Sequence, residues 1–126
     1  MSTKTAQAVF PWLVATSAGV DLVYYGSTTA PGPTQSWSVY FAQNTLGTTA
    51  GWGAPGAVVA VHQDTVCEVG GTCSSGRQLF DDFGVDTDQS GLAHIAYSHD
   101  SPGIGGTGTY TGYAVQTGGT AVGAPN

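Results

Sequence analysis

The sequence predicts an all-β protein of short antiparallel strands joined by tight turns. Three observations carry that prediction. Glycine is the most frequent residue, at 20 of 126. The residues that favour helix are scarce apart from Ala, and no 11-residue window repeats its apolar positions every 3.6 residues. Seven Val/Tyr/aromatic-rich runs recur instead, each bounded by Gly, Pro, Ser, Thr, Asn or Asp.

In chain order the predicted strands are Trp12–Ala15, Val20–Tyr25, Trp37–Gln43, Ala57–His62, Phe83–Thr87, Leu92–Ser98 and Tyr110–Gln116. Turns at Thr16–Gly19 and Asp88–Gly91 close the first and fifth strands onto their successors. Ser27–Ser36, with Pro31-Gly32-Pro33, and Asp100–Thr109, with Pro102-Gly103, read as longer loops. One further strand-like run, Thr5–Phe10, stands at the N-terminus.

Charge narrows the function classes. Only 8% of residues are charged, against the usual ~25%. Lys4 and Arg77 face seven Asp and one Glu, for a net charge of −6. No basic face can be built to neutralise phosphates, so nucleic acid is not an expected partner. Anionic membrane surface is excluded on the same ground, and no apolar run approaches the ~20 residues of a span. The opening MSTKTAQAV lacks the pattern of a signal peptide. With 40% hydrophobic residues the chain can bury a core.

An internal repeat points to the architecture. At an offset of 72, Gly19 falls on Gly91, Val23 on Ile95 and Tyr25 on Tyr97. At 73, Trp37 falls on Tyr110, Tyr40 on Tyr113 and Gln43 on Gln116. Gly47–Pro55 also matches Gly118–Pro125 with one gap. A four-stranded meander in tandem is the pattern of β-propeller blades. The expectation is two four-stranded antiparallel blades in one unit: repeat 1 at about 11–62, a Cys-containing insert at 63–78, and repeat 2 at about 79–126. The outer strand of the second blade is expected from residues 5–10 of a chain. Two blades cannot close a ring, since propellers need about four to eight. Homo-oligomerisation is therefore expected to complete it, with a homotrimer of six blades favoured and a tetramer as the alternative.

The stretch from His62 to Tyr97 then resembles the blade junction of bacterial sialidase-like (BNR/Asp-box-type) propeller proteins. The matching residues are His62, Cys67, Gly70, Cys73, Arg77, Leu79, Asp81, Val85, Asp88, Gly91 and Tyr97. The resemblance implies the propeller fold and speaks poorly to function. The strict Ser-x-Asp-x-Gly-x-Thr-Trp box is missing; Asp88-Gln89-Ser90-Gly91 is a looser relative. Sialidases of this kind use three arginines and a Tyr/Glu pair, whereas this chain has one Arg and one Glu. Sialidase activity is accordingly not expected.

Candidate sites follow from residue types. Cys67 and Cys73 enclose five residues; metal and redox pairs want CxxC, so this spacing favours a disulfide pinning a Gly-rich loop. A disulfide implies an oxidising, secreted or extracellular origin for the parent protein. Asp82, Asp86 and Asp88 alternate onto one face and form a weak metal candidate, a Ca²⁺ site. The competing reading has Asp88 closing its turn through backbone amides. His62, His94 and His99 could bind zinc only if assembly brought them together. Trp37, Tyr110 and Trp52 are candidate stacking platforms for a glycan, against the competing reading of inter-blade core. No Ser/His/Asp order is visible, so catalytic residues and cofactors are not expected. The expected function is a self-assembling scaffold or binding module without catalysis. The alternatives are a lectin with pockets between blades and, more weakly, a glycoside hydrolase remnant, for which only inter-chain Asp pairs could serve since Glu68 lies in the Cys loop.

Overall fold

The computed structural model describes residues 5–45, 51–67, 69–74, 79, 82–100, 106 and 108–122. Glu68, Arg77 and Asp81 lie outside these residues. The fold is all-β, with one 3-10 turn at Gly70–Thr72 as its helical element. Seven strands form two antiparallel sheets. The first holds β1 (Gln7–Thr16), β2 (Gly19–Ser27), β3 (Ser36–Thr45) and β4 (Gly56–Gln63), in that order. The second holds β5 (Gly84–Thr87), β6 (Ala93–His99) and β7 (Tyr110–Val115).

All seven predicted runs are strands, with ends that move by a few residues. The N-terminal segment behaves differently from its expected role. Gln7–Val9 pair with Ser27–Tyr25 of the same chain's β2, so this run is the first half of β1. Between Val9 and Trp12 the register shifts, leaving Phe10 and Pro11 as a bulge. Pro11 lacks an N–H and is tolerated because β1 is the edge strand. Phe10 adopts φ 52° and turns its ring edge-on to Tyr25, with centroids 6.3 Å apart. Two residues are also too few to join an outer strand to an inner one. That crossing spans about three strand spacings, roughly 14 Å, beyond the ~7 Å reach of two extended residues. Within this chain residues 7–9 extend β1, and the second sheet has three strands among the described residues.

The core lies between the sheets. Val23, Tyr25, Trp37, Val39 and Val61 come from the first sheet; Val85, Ala93, Ile95 and Tyr97 come from the second. Tyr25 stacks on Phe83 with centroids 4.3 Å apart. Its hydroxyl accepts from the Ser98 amide at 2.7 Å. At the far end the C-terminal segment clamps both sheets. Thr16 Oγ1 donates to the Val122 carbonyl, and Gln116 Nε2 donates to the Thr120 carbonyl at 3.0 Å.

Hydrogen-bond parity decides how the two repeats correspond. In an antiparallel pair, residues whose backbone groups face the partner alternate with residues whose groups face away. The Ser27 carbonyl accepts from Ala6, on the β1 side, and the Gln43 carbonyl accepts from Gly53, on the β4 side. The core-facing residues Asp21, Val23 and Tyr25 thus aim their backbone at β1. On β6, Gln116 N–H donates to the Ala93 carbonyl, so the core-facing Ala93, Ile95 and Tyr97 aim theirs at β7, away from β5. For L-residues, side-chain direction and strand direction together fix that lateral direction. The two sheets therefore meet through opposite faces of the repeat. Tyr97 corresponds to Tyr24, not to Tyr25, and Gly112 corresponds to Tyr40. The second hairpin is one residue longer: five residues, Asp88–Leu92, lie between the paired Thr87 and Ala93, where four, Thr16–Gly19, lie between the corresponding Ala15 and Val20. Gly112 is required by this arrangement, because a Cβ there would stand 2.3 Å from the Tyr97 ring.

Candidate functional site

The three candidate stacking aromatics do not form a site. Trp37 is 1% exposed in the inter-sheet core, and its indole N–H donates to the Asp64 carbonyl at 3.2 Å. A sugar cannot reach that ring. Tyr110 is 52% exposed on β7, with the His99 ring 6.1 Å away between centroids. Trp52 is half-buried in the segment between β3 and β4. Trp37 opens β3 and Trp52 follows its other end, which separates them by the strand's length. The corrected correspondence also removes the equivalence of Trp37 with Tyr110.

The acidic candidates are likewise spread out. Asp82 and Asp86 are exposed, and Asp86 Oδ1 accepts from the Thr87 amide at 2.8 Å. Asp88 closes its turn, with Oδ1 accepting from the Ser90 and Leu92 amides at 2.8 and 3.0 Å. The Leu92 amide, then His94, lowers its pKa below the usual carboxylate value. Gly91 completes the turn at φ 79°, where glycine is favoured. Among the described residues, no three of His, Cys, Asp and Glu gather closely enough to hold a metal. Cys67 and Cys73 are joined in a disulfide, with Cα atoms 5.9 Å apart.

The histidines occupy three separate settings. His62 is buried at the end of β4, and its Nδ1 meets Asp100 Oδ2 at 2.8 Å. Its Nε2 is buried without a hydrogen-bond partner. His94 sits on the outward face of β6, between Asp88 Oδ2 at 3.1 Å and the Tyr113 hydroxyl. His99 Nδ1 contacts the Asp100 carbonyl at 2.6 Å. The Asp88–His94–Tyr113 chain is partly open to solvent and orients an imidazole and a phenol as a polar contact surface.

Two polar features went unnoticed in the sequence. Asp21 is fully buried on the core face of β2, where Gln43 Nε2 donates to its Oδ1 at 2.8 Å and Oδ2 has no partner. Burial raises its pKa above 3.8, against the opposing pull of the Gln43 hydrogen bond. The signal was available: Asp21 shares the period-two face of Val23 and Tyr25. The Asp100 partner of His62 was not readable, because a 38-residue separation joins them only through folding.

One open cleft, about 380 Å³ in volume, separates the outer parts of the two sheets. Its walls are Phe41 and Val58 on one side and Ile95, Ala114 and Val115 on the other. It lies beside the edge of β7 that pairs with no strand among the described residues, where the first sheet has β4. The lining is apolar with Gln116 as its main polar side chain, too few convergent polar groups to orient a specific small ligand.

Searches against protein families, curated proteins and solved structures found no match to this chain. What the molecule can do rests on its own geometry.

Proposed function

We propose that the chain is a two-blade unit of a β-propeller ring built from several copies, acting as a scaffold or binding module without catalysis. The observation that carries this is the packing of the two sheets through opposite faces of one repeat. Such packing is a rotation rather than a two-fold pairing, and a rotation leaves one unsatisfied face at each end of the unit. Exposed Leu13 on the first sheet and exposed Tyr113 and Val115 on the second lie on those two end faces. A ring satisfies both faces and protects the sheet edges. The sialidase-like resemblance of His62–Tyr97 agrees with this reading, and the Cys67–Cys73 disulfide fits an oxidising compartment. The glycan-binding alternative loses its central platform with the burial of Trp37.

Native mass tests the proposal. Six blades need three 12.7 kDa chains, about 38 kDa, and eight need four, about 51 kDa. A folded 12.7 kDa monomer at high concentration overturns it.

A further inference from the structure

We infer that the outward face of the first sheet docks head-to-tail on the outward face of the second sheet of another copy, and that the contact inside the chain is its template. The inference rests on the ring reading and names the surfaces that reading leaves open. The argument is one of correspondence. The second sheet enters the core through Val85, Ile95, Tyr97 and Ala114. By hydrogen-bond parity their counterparts in the first sheet are Leu13, Leu22, Tyr24 and Ala42. All four lie on the side of that sheet turned away from the core, where Leu13 is exposed, Leu22 is half-buried, and Tyr24 and Ala42 are already covered.

The first sheet in turn receives the second on Val23, Val39 and Phe41. Their counterparts are Ala96, Thr111 and Tyr113, which all lie exposed on the outward face of the second sheet. The exposed Leu13 end of the first sheet's outward face and the exposed face of the second are therefore the repeat partners of faces already seated in the core. Putting Leu13 and Leu22 of one copy over Ala96 and Tyr113 of the next repeats the internal contact by the same rotation.

The chemistry of the faces fits a contact that can exchange with solvent. On the first sheet's outward face Tyr24 and Tyr40 stack with centroids 5.4 Å apart and are buried, as is Ala42, so the docking surface is the uncharged end at Leu13, Val20 and Leu22. The other face is apolar at Ala96 and Val115, with Asp86, Asp88 and His94 gathered at one end of β5 and β6. Asp88 Oδ2 and His94 Nε2 meet at 3.1 Å there, so docking does not leave either polar group without a partner at the rim. The occupant is a second copy because the counterpart surface is found on this chain.

The test uses two single variants of the full chain, Leu13→Arg and Tyr113→Arg. These side chains are 58% and 61% exposed, so both variants should keep the wild-type circular dichroism. Each variant alone blocks one of the two faces every contact needs, and its native mass should fall to that of a single chain. Mixed in equal amounts they retain one intact pair of faces, and the mixture should give a 1:1 heterodimer of about 25 kDa, twice 12.7 kDa. If both variants keep the wild-type oligomer, this interface is wrong while the ring reading stands. If both become monomers and the mixture forms no dimer, head-to-tail docking is overturned. A monomeric wild type removes the ring and the interface together.

Discussion

The two sheets are both antiparallel meanders and are finished differently. The first has four strands, an edge bulge and a buried carboxylate facing the core. The second has three, an Asp-centred turn and its polar groups outward. Asp21 and His94 occupy corresponding positions, yet one is sealed at 0% exposure and the other stands partly in solvent. A meander thus constrains backbone geometry far more tightly than side-chain chemistry. Each sheet then adapts to which of its faces is covered.

The contrast is sharpest for the two aromatics that sequence comparison pairs. Trp37→Ala should cost about 3–5 kcal/mol, the usual loss for emptying a large core site. Tyr110→Ala, on an exposed ring, should stay within roughly 0.5 kcal/mol. Denaturant unfolding of the two variants measures both, and equal losses would break the distinction between core and surface.

The disulfide lies in the connection between the sheets. It closes a loop between residues 67 and 73, six apart in sequence. Replacing both cysteines by Ser should lower stability by about 2 kcal/mol, as chain entropy predicts for so short a loop. A thermal shift indistinguishable from zero would show that the connection does not limit unfolding.

Tyr25 joins the sheets through Ser98, and Tyr25→Phe should cost about 1–2 kcal/mol by stranding a buried amide. Burial pushes the Tyr25 hydroxyl up to about 12. The folded protein then holds the proton while unfolded tyrosine, near 10, releases it. Wild-type stability should fall as pH rises from about 10 to 12, and the gap to Tyr25→Phe should narrow over the same window. A gap constant with pH would mean that Tyr25 ionises freely.

The smallest effect concerns Asp21. Its raised pKa means that the folded state binds the proton more tightly than the unfolded state. Its charge therefore weakens the fold at neutral pH, and the weakening is relieved as pH falls through the raised value toward 3.8. Asp21→Asn should melt higher than wild type at pH 7, with the advantage fading in acid. A melting temperature that drops equally at both pH values would show that the carboxylate is needed for its Gln43 contact.

Strand positions and turns were legible in the sequence, because period-two patterning and turn residues act locally. Val23 and Tyr25 point inward as their alternation requires, and Asp88 closes the turn that its spacing to Gly91 suggests. The fate of residues 5–10 was not legible. A strand-like run shows that it can pair, not which strand it will meet. Likewise, Trp37 and Tyr110 are both aromatics at strand starts, and nothing local tells that one will be sealed under the opposing sheet.

The sequence by itself determined an all-β chain of short antiparallel strands with a net charge of −6. Only the tertiary structure decided which face of each sheet is buried. A one-residue difference in hairpin length reverses every side chain of the following strand relative to a simple alignment. Because the side-chain period of a strand is two, such a slip leaves the pattern of residues nearly unchanged while exchanging inside for outside. Packing of one whole sheet on the other settles that choice.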